Sequence, residues 1–172
     1  LHDPSTLKQQ VRLDGDGLLQ CTSCHDPHNS VNRHFLVLDD RGGQLCVACH
    51  NVRQWEVSSH KTSPKTWNGH DQNPWPHTDY TTVADNACEH CHAPHNAGTR
   101  PRLLNFAIEE QNCNTCHNGN AAAKNVAAEF NKLSVHPINS TTDVHDPMES
   151  VINPARHVEC VACHNPHVVN TT

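Results

Sequence analysis

The sequence is poor in the residues that normally build a hydrophobic core. It has three Phe, three Trp, one Tyr and one Met among 172 residues, and only 35% of its residues are hydrophobic, whereas an ordinary globular domain has about half. This shortage excludes a domain held together by its own apolar side chains alone. No apolar run approaches the ~18 to 20 residues of a membrane-spanning helix, so we expect no membrane span.

Positive charge is also scarce. The chain has 12 Lys and Arg against 18 Asp and Glu, for a net charge of −6 with neutral His. This balance excludes the Lys- and Arg-rich surface that nucleic-acid binding requires. Because Leu1 follows neither an initiator Met nor a signal-peptide pattern, we expect the mature terminus of an exported protein, either extracellular or periplasmic.

No cysteine lies outside one pattern, Cys-x-x-Cys-His, which occurs five times and which we number motif 1 to motif 5. The ten cysteines are Cys21, Cys24, Cys46, Cys49, Cys88, Cys91, Cys113, Cys116, Cys160 and Cys163. This pattern is the attachment signature of haem c. Zinc knuckles or disulfides also use Cys-x-x-Cys, but neither explains a His at the same place five times, nor an odd number of motifs. The sequence therefore predicts five covalently attached haem c groups.

Each motif supplies three groups to one haem. The two thiols add to the two vinyl groups, and the histidine is the proximal iron ligand: His25, His50, His92, His117 and His164. With about 34 residues for each motif, the haems themselves must form the core. We predict one domain over residues 1–172, mostly irregular with short α-helices and no substantial β-sheet. We also expect the haem-free chain to be disordered.

The motifs belong to an internal repeat. A first unit spans residues 21–60 and a second unit residues 88–136, each with two motifs, and a half-unit with one motif spans residues 160–167. The first cysteines of paired motifs are 25 residues apart in both units. The connector 61–80 contains Gly and several Pro and predicts an irregular loop. Residues 121–133 are the one stretch in which the pattern predicts a longer helix.

Twelve histidines remain as candidate second (distal) ligands, which makes His/His coordination the simplest interpretation. The predicted distal ligands are His28, His60, His95, His136 and His167, with His77, His157, His2 and His145 in reserve. His90 is expected to be a bystander, and His34 and His70 are not assigned. Since Met148 is the only Met, at most one iron has a Met ligand, and His/His ligation favours low reduction potentials.

The repeat also predicts which iron each ligand reaches. His28, His95 and His167 share the setting His-x-Pro-His, in which Pro turns the second ring away from its own iron. We expect His28 and His95 to reach the irons of His50 and His117. His60 and His136 share the setting Ser-x-His after the second motif of their unit, and could close back on the first iron of that unit.

His167 has no motif after it. It either folds back within the chain or caps a haem in another copy, and head-to-tail contacts that do not close into a ring give filaments.

The segment from Asn86 to Asn96, with Cys88, Cys91, His92 and His95, and the segment Cys116-His117-Asn-Gly resemble the doubled-motif multihaem c-type cytochromes. The resemblance covers nearly the whole chain. It implies His/His haems in closely packed parallel and T-shaped pairs, and long-range electron transfer. Some members of that family polymerise into extracellular nanowires in which one haem takes its distal His from the adjacent subunit. The odd number of motifs departs from this pattern.

Three functions are therefore compared. The first is a filament subunit that conducts electrons, with copies of itself and other redox proteins as partners. The second is a discrete soluble electron shuttle that donates to a reductase. The third is a multihaem enzyme, which needs an open iron position. Five regular motifs and twelve further histidines disfavour the enzyme, and no catalytic residue is predicted.

Overall fold

The computed structural model describes residue 7, residues 10–138 and residues 158–169. The α-helices there are α1 (Cys21–Cys24), α2 (Gln44–Val47), α3 (Ser59–Thr62), α4 (Val83–Asn86) and α5 (Glu109–His117). Single 3₁₀ turns span Arg33–Phe35, Arg41–Gly43, Trp55–Val57, Ala87–His90, Pro101–Leu103, Ala127–Asn131 and Cys160–Ala162. Strand pairing within these ranges is limited to isolated bridges. The predicted irregular, helix-poor fold without a sheet is confirmed.

The two units fold in the same way after their first motif. His25 pairs with Leu36, and His92 pairs with Leu104, each in an isolated antiparallel bridge. Around each bridge the chain makes the same two backbone hydrogen bonds. Asp26 N–H donates to Phe35 O and Ala93 N–H donates to Leu103 O, both at 2.7 Å; Val37 N–H donates to Cys24 O and Asn105 N–H donates to Cys91 O, both at 2.9 Å. The sequence repeat is thus a structural repeat.

The longest described helix, α5, was not predicted beyond a short turn at the motif. Glu109 and Glu110 lie in its first turn, where negative charge favours helix formation. Asn112 ties the preceding loop to the helix, since its side chain accepts from Phe106 N–H at 3.0 Å and donates to Phe106 O at 3.1 Å. These contacts join a side chain to the backbone, so no hydrophobic periodicity in the sequence predicts them.

The helix predicted over residues 121–133 is wrong. Only Ala127–Asn131 is helical there, as a 3₁₀ turn. The preceding residues fold back onto the end of α5, where Ala121 N–H and Ala122 N–H both donate to Cys116 O at 3.2 and 3.0 Å. The buried Asn120 reinforces this turn by donating to Thr115 O at 2.9 Å. These local hydrogen bonds outweigh the helix propensity of the Ala residues.

The side-chain core is small, as the composition indicates. Its cluster of buried apolar residues consists of Trp75, Val83 and Ala121, with Trp67 and Cys116 packed against it. Several large apolar side chains are exposed, including the repeat-related Phe35 and Leu103 at 53% and 51%. Within the described ranges, the polypeptide thus lacks a core of the size that would hold a chain of this length together. Among the described helices none is both long and apolar enough to cross a membrane.

A polar cluster joins the first unit to the connector. The Tyr80 hydroxyl donates to Asp40 Oδ1 at 2.6 Å, and the guanidinium carbons of Arg33 and Arg41 lie 4.8 and 5.2 Å from the Tyr80 ring centre. Arg33 Nε lies 3.9 Å from Asp40 Oδ2. Burial and the bond to Asp40 raise the pKa of Tyr80. The phenol is therefore held in its neutral, donating form.

Candidate haem-binding site

Each of the five motifs begins in a helical turn. The turns are α1, α2, the 3₁₀ turn Ala87–His90, the second half of α5 and the 3₁₀ turn Cys160–Ala162. In four of them the His N–H donates to the carbonyl of the first Cys at 2.9 Å: His25 to Cys21, His50 to Cys46, His92 to Cys88 and His164 to Cys160. Residues at i, i+3 and i+4 of such a turn share one face. Both thiols and the imidazole therefore point to the same side, as one porphyrin requires.

The proximal histidines of the first motif in each unit are oriented by backbone carbonyls. His25 Nδ1 lies 2.9 Å from His34 O, and His92 Nδ1 lies 2.8 Å from Arg102 O. Since a carbonyl only accepts, Nδ1 carries the proton and Nε2 presents its lone pair. The residues that supply these carbonyls have positive φ, 53° at His34 and 55° at Arg102. This strained backbone aims the carbonyl at the ring.

Three histidine pairs bring a motif histidine opposite a predicted distal ligand. The ring centres of His25 and His95 are 5.9 Å apart, those of His92 and His167 6.2 Å, and those of His117 and His60 6.1 Å. The angles between the ring planes are 33°, 5° and 72° in the same order. Each pair joins two different units of the repeat.

These distances fit a metal ion held between the two rings. A metal–imidazole bond is about 2 Å long, and the nitrogen lies about 1 Å from its ring centre, so two rings on opposite sides of one ion have centres about 6 Å apart. Because the plane of each ring contains the metal–nitrogen bond, any angle between the planes is compatible. The spacing of the three pairs is therefore compatible with one metal ion bound between the two rings of each pair.

One short segment of the half-unit contacts two of these rings. The His60 Nδ1–H donates to Pro166 O at 2.9 Å, which leaves the lone pair on Nε2 of His60 able to bind a metal. The next residue, His167, faces His92. Ser59 N–H also donates to Val169 O at 2.7 Å. Partial desolvation lowers the pKa of His167, which favours the neutral, metal-binding form of the ring.

The pairing differs from the one that the repeat predicts within each unit. His95 faces His25 of the first unit instead of His117, and His60 faces His117 of the second unit instead of His25. Both rings reach across to the neighbouring unit instead of closing within their own. His167 folds back within the chain, one of its two predicted alternatives.

The other predicted distal histidines are not brought to a motif histidine. His28 and His136 are both exposed, and no ring contact joins either one to a described motif histidine. His60 of the first unit faces motif 4, which is the second motif of the next unit. The equivalent partner of His136 would be a second motif in the half-unit, and the sequence has none there. The reserve His77 has its Nε2 3.4 Å from Glu89 O. His2, His145, His157 and Met148 lie outside the described residues.

Two residues near the rings have more contacts than the sequence indicates. His90, expected to be a bystander, is 9% exposed and packs edge-on against His60 at 5.7 Å. Burial lowers the pKa of His90 to about 3. Trp55, at 5% exposure, packs edge-on against His167 at 6.2 Å, and its buried Nε1 has no hydrogen-bond partner. Trp55 has no counterpart in the second unit, so the repeat could not reveal it.

None of the ten cysteines, all of which lie in the described ranges, is paired in a disulfide. Burial raises the pKa of Cys91 to about 12 and that of Cys116 to about 11. A zinc ligand or a nucleophile must be a thiolate, which the surroundings of Cys91 and Cys116 oppose, whereas a thioether to a porphyrin carries no charge. Across the described ranges, no three His, Cys, Asp or Glu side chains are grouped to hold a metal ion by themselves. The thiols fit haem attachment.

The comparison with known families gives a match in two segments, residues 14–54 and residues 81–122. Each segment contains two motifs and the bridge between them. Both match the doubled CXXCH motif family. This match supports a multihaem c-type cytochrome with covalently bound haem c, and an electron carrier more than an enzyme. Motif 5 lies outside the matched segments. Neither the search of curated proteins nor that of solved structures returned a match.

Proposed function

We propose that the protein is a pentahaem c-type cytochrome that conducts electrons from haem to haem as the subunit of a head-to-tail filament. In this proposal, motifs 1 to 5 hold haems 1 to 5, which supply one-electron iron chemistry. The chain attaches the haems, orients their axial ligands and keeps them close to one another. The five motifs share one backbone geometry, which supports treating motif 5 like the four that match the family.

The observation that carries the proposal is the set of three ring pairs about 6 Å apart. We assign His95 to haem 1, His167 to haem 3 and His60 to haem 4, each opposite its motif histidine. Two histidines on one iron leave no position open for a substrate. They also favour lower reduction potentials than a His/Met pair. Both consequences suit a conductor better than an enzyme.

The same pairs support assembly with further copies. The His-x-Pro-His ring of the second unit, His95, faces the first motif of the first unit, and that of the half-unit, His167, faces the first motif of the second unit. Each such ring thus serves the first motif of the preceding unit. His28 is the His-x-Pro-His ring that faces no motif, and motif 5, which ends at His164, is the first motif that no such ring faces. His28 and His164 are both exposed. We assign His28 of one copy to haem 5 of the preceding copy.

This assignment makes the assembly open-ended. His28 and His164 belong to opposite ends of the repeat, so the contact is heterologous and adds copies in one direction. The histidine that binds a haem of another copy is then His28, and not His167, which the sequence suggested for this role. An electron shuttle, the second candidate, would be supported if a single chain completed all its ligands by itself.

The test uses His28→Ala holoprotein, with His70→Ala as the matched control because His70 is also exposed and unassigned. Size-exclusion chromatography and negative-stain microscopy should show filaments for the native protein and for His70→Ala. His28→Ala should give short assemblies or single chains and one additional high-spin iron. A native protein that elutes as a single chain of 19.1 kDa plus haems would overturn the filament and favour the shuttle.

A further inference from the structure

A polar cavity lies beside α5, between this helix and the connector 61–80. Its volume is about 430 Å³, within the ~300–1,000 Å³ of small-molecule sites. The connector residues Asp71 and Gln72, the ring of Phe106, and side chains of α5 and of the turn after it line the cavity. None of the described lining residues is a Cys or a His. The cavity is therefore separate from the motifs' thiols and from the three histidine pairs.

The cavity and motif 4 use opposite sides of α5. Four lining residues are spaced as i, i+3, i+4 and i+7 along the helix and its C-cap: Gln111, Asn114, Thr115 and Asn118. Residues with this spacing share one side of a helix. At about 100° per residue, this side is opposite to that of Cys113, Cys116 and His117. A haem attached to motif 4 thus lies across the helix and does not fill the cavity.

Hydrogen bonds hold the walls of the cavity in place. Asn68 of the connector donates from its side chain to Gly119 O at 3.0 Å and from its backbone N–H to Asn120 O at 3.1 Å. Asn120 Nδ2 donates to Gln72 O at 2.8 Å and to Thr115 O at 2.9 Å. The connector and the end of α5 are thus tied to each other. Because the walls are already ordered, a ligand need not order them on binding.

Two oxygen-bearing side chains at the cavity retain capacity to accept hydrogen bonds. Asn120 is 2% exposed, and its Oδ1 has no hydrogen-bond partner among the described residues. A buried acceptor without a partner costs free energy, which a donor from a ligand removes. The carboxylate of Asp71 is exposed, and its contact with Asn118 Nδ2 is long, at 3.5 Å. Both groups are available to accept from hydroxyl groups.

The lining side chains favour a neutral ligand that carries hydroxyl groups. Five of the described lining residues are amides and none is Lys or Arg, so an anion finds no opposite charge beside Asp71. An amide offers one acceptor oxygen and two donors, which match hydroxyl groups because these both donate and accept. Phe106 is half-buried, and the face of its ring is electrostatically negative. The weakly positive C–H groups of a sugar ring pack on such a face.

We propose that this cavity binds the ring of a neutral sugar. Phe106 packs against the C–H face of the ring, and Asp71 and Asn120 Oδ1 accept from its hydroxyl groups. Gln111 and Asn114 supply both donors and acceptors to the other hydroxyls. The ring chemistry is the same for a free hexose and for the terminal residue of a polysaccharide. This site uses no haem ligand, so it stands or falls independently of the filament.

Isothermal titration calorimetry of the native holoprotein tests the site with D-glucose, D-galactose, D-mannose and N-acetyl-D-glucosamine. We expect at least one of them to bind with a dissociation constant of about 1 mM, as suits a small neutral ligand. Equal binding of its methyl glycoside indicates the end of a polysaccharide, and binding of the free sugar alone indicates a free hexose. Absence of binding by all four at about 50 mM overturns the proposal, as does binding of Ca²⁺ in their place.

Two variants test the assigned residues. Gln111→Ala should weaken binding about two- to tenfold, the effect of one hydrogen bond. Asp71→Asn should weaken it about tenfold, since a charged acceptor is lost, and Asn tolerates the φ of 56° at this position as Asp does. The matched control is Gln10→Ala, which alters an exposed Gln outside the cavity and should leave the affinity unchanged. Unaltered low-spin absorption shows that each variant is intact. Equal affinity in the native protein and both cavity variants would overturn the assignment.

Discussion

Replacing His95 by Ala is expected to change the iron opposite His25 and no other. The two ring centres are 5.9 Å apart, so an iron between them lies about 3 Å from each ring centre. The methyl group of Ala offers no donor atom, and water takes the vacated position. A weaker-field ligand in place of imidazole converts that iron from low-spin to high-spin.

The size of the effect follows from the number of irons. One iron in each chain should change, so low-spin signal equal to one iron per chain is lost and high-spin signal of the same amount appears. The variant His95→Met should instead keep this iron six-coordinate and raise its reduction potential, within the roughly 0.8 V that axial ligands span. The two variants together separate loss of a ligand from general disturbance of the fold.

Electron paramagnetic resonance and absorption spectra of the oxidised holoprotein measure the low-spin fraction. His70→Ala is the control and should match the native protein. To identify the iron, His95→Ala is repeated in a protein that lacks haem 1 through Cys21→Ala and Cys24→Ala. There it should cause no further loss of low-spin signal. An additional high-spin iron would show that His95 caps another haem, and an unchanged spectrum of the single variant would refute the ligand assignment.

Three further predictions concern folding. Gly43→Ala should lower the free energy of unfolding by about 1–3 kcal/mol more than Gly17→Ala, because both have a positive φ near 76° but only Gly43 faces Cys88 Sγ, at 2.7 Å; equal losses would contradict the contact. Tyr80→Phe should cost about 1–2 kcal/mol in denaturant unfolding. Since the folded-state pKa of Tyr80 is raised from 10, this stabilisation is complete below pH 10 and disappears as the pH rises through the raised value; a difference that persists in strong alkali argues against it. Finally, the haem-free chain should melt without a cooperative transition by circular dichroism, and a sharp transition would show a self-sufficient protein core.

Local features were predictable from the sequence, and long-range pairings were not. The motifs fix their own helical turns, because Cys and His at i, i+3 and i+4 must share a face, and the repeat of residues 21–60 in the second unit fixes the matching bridges. The side on which His95 meets a motif histidine depends on how two units pack. Sequence distance favours His117, 22 residues after His95, over His25, 70 residues before it, so spacing alone does not predict the ring contact with His25.

Secondary structure shows the same limit. Residues 121–133 have the better helix composition, yet α5 forms over Glu109–His117. The competition is decided by Asn112 and Asn120, whose side-chain amides bond to backbone groups in preceding segments. Such contacts produce no periodic pattern in the amino-acid sequence. With few apolar side chains to bury, polar hydrogen bonds determine much of the local structure.

The contacts between rings of successive units also bear on how the number of units in such a chain can change during evolution. Since a ring of the second unit and a ring of the half-unit each face the first motif of the preceding unit, inserting another unit in tandem would leave the two ends, with His28 and His164, unchanged. Duplication of one gene segment would then add two haems without any redesign of the existing contacts. The acceptor carbonyls at His34 and Arg102 lie 9 and 10 residues after their histidines, so even a one-residue insertion is absorbed. A protein built this way can change its length during evolution while its ends keep the same shape.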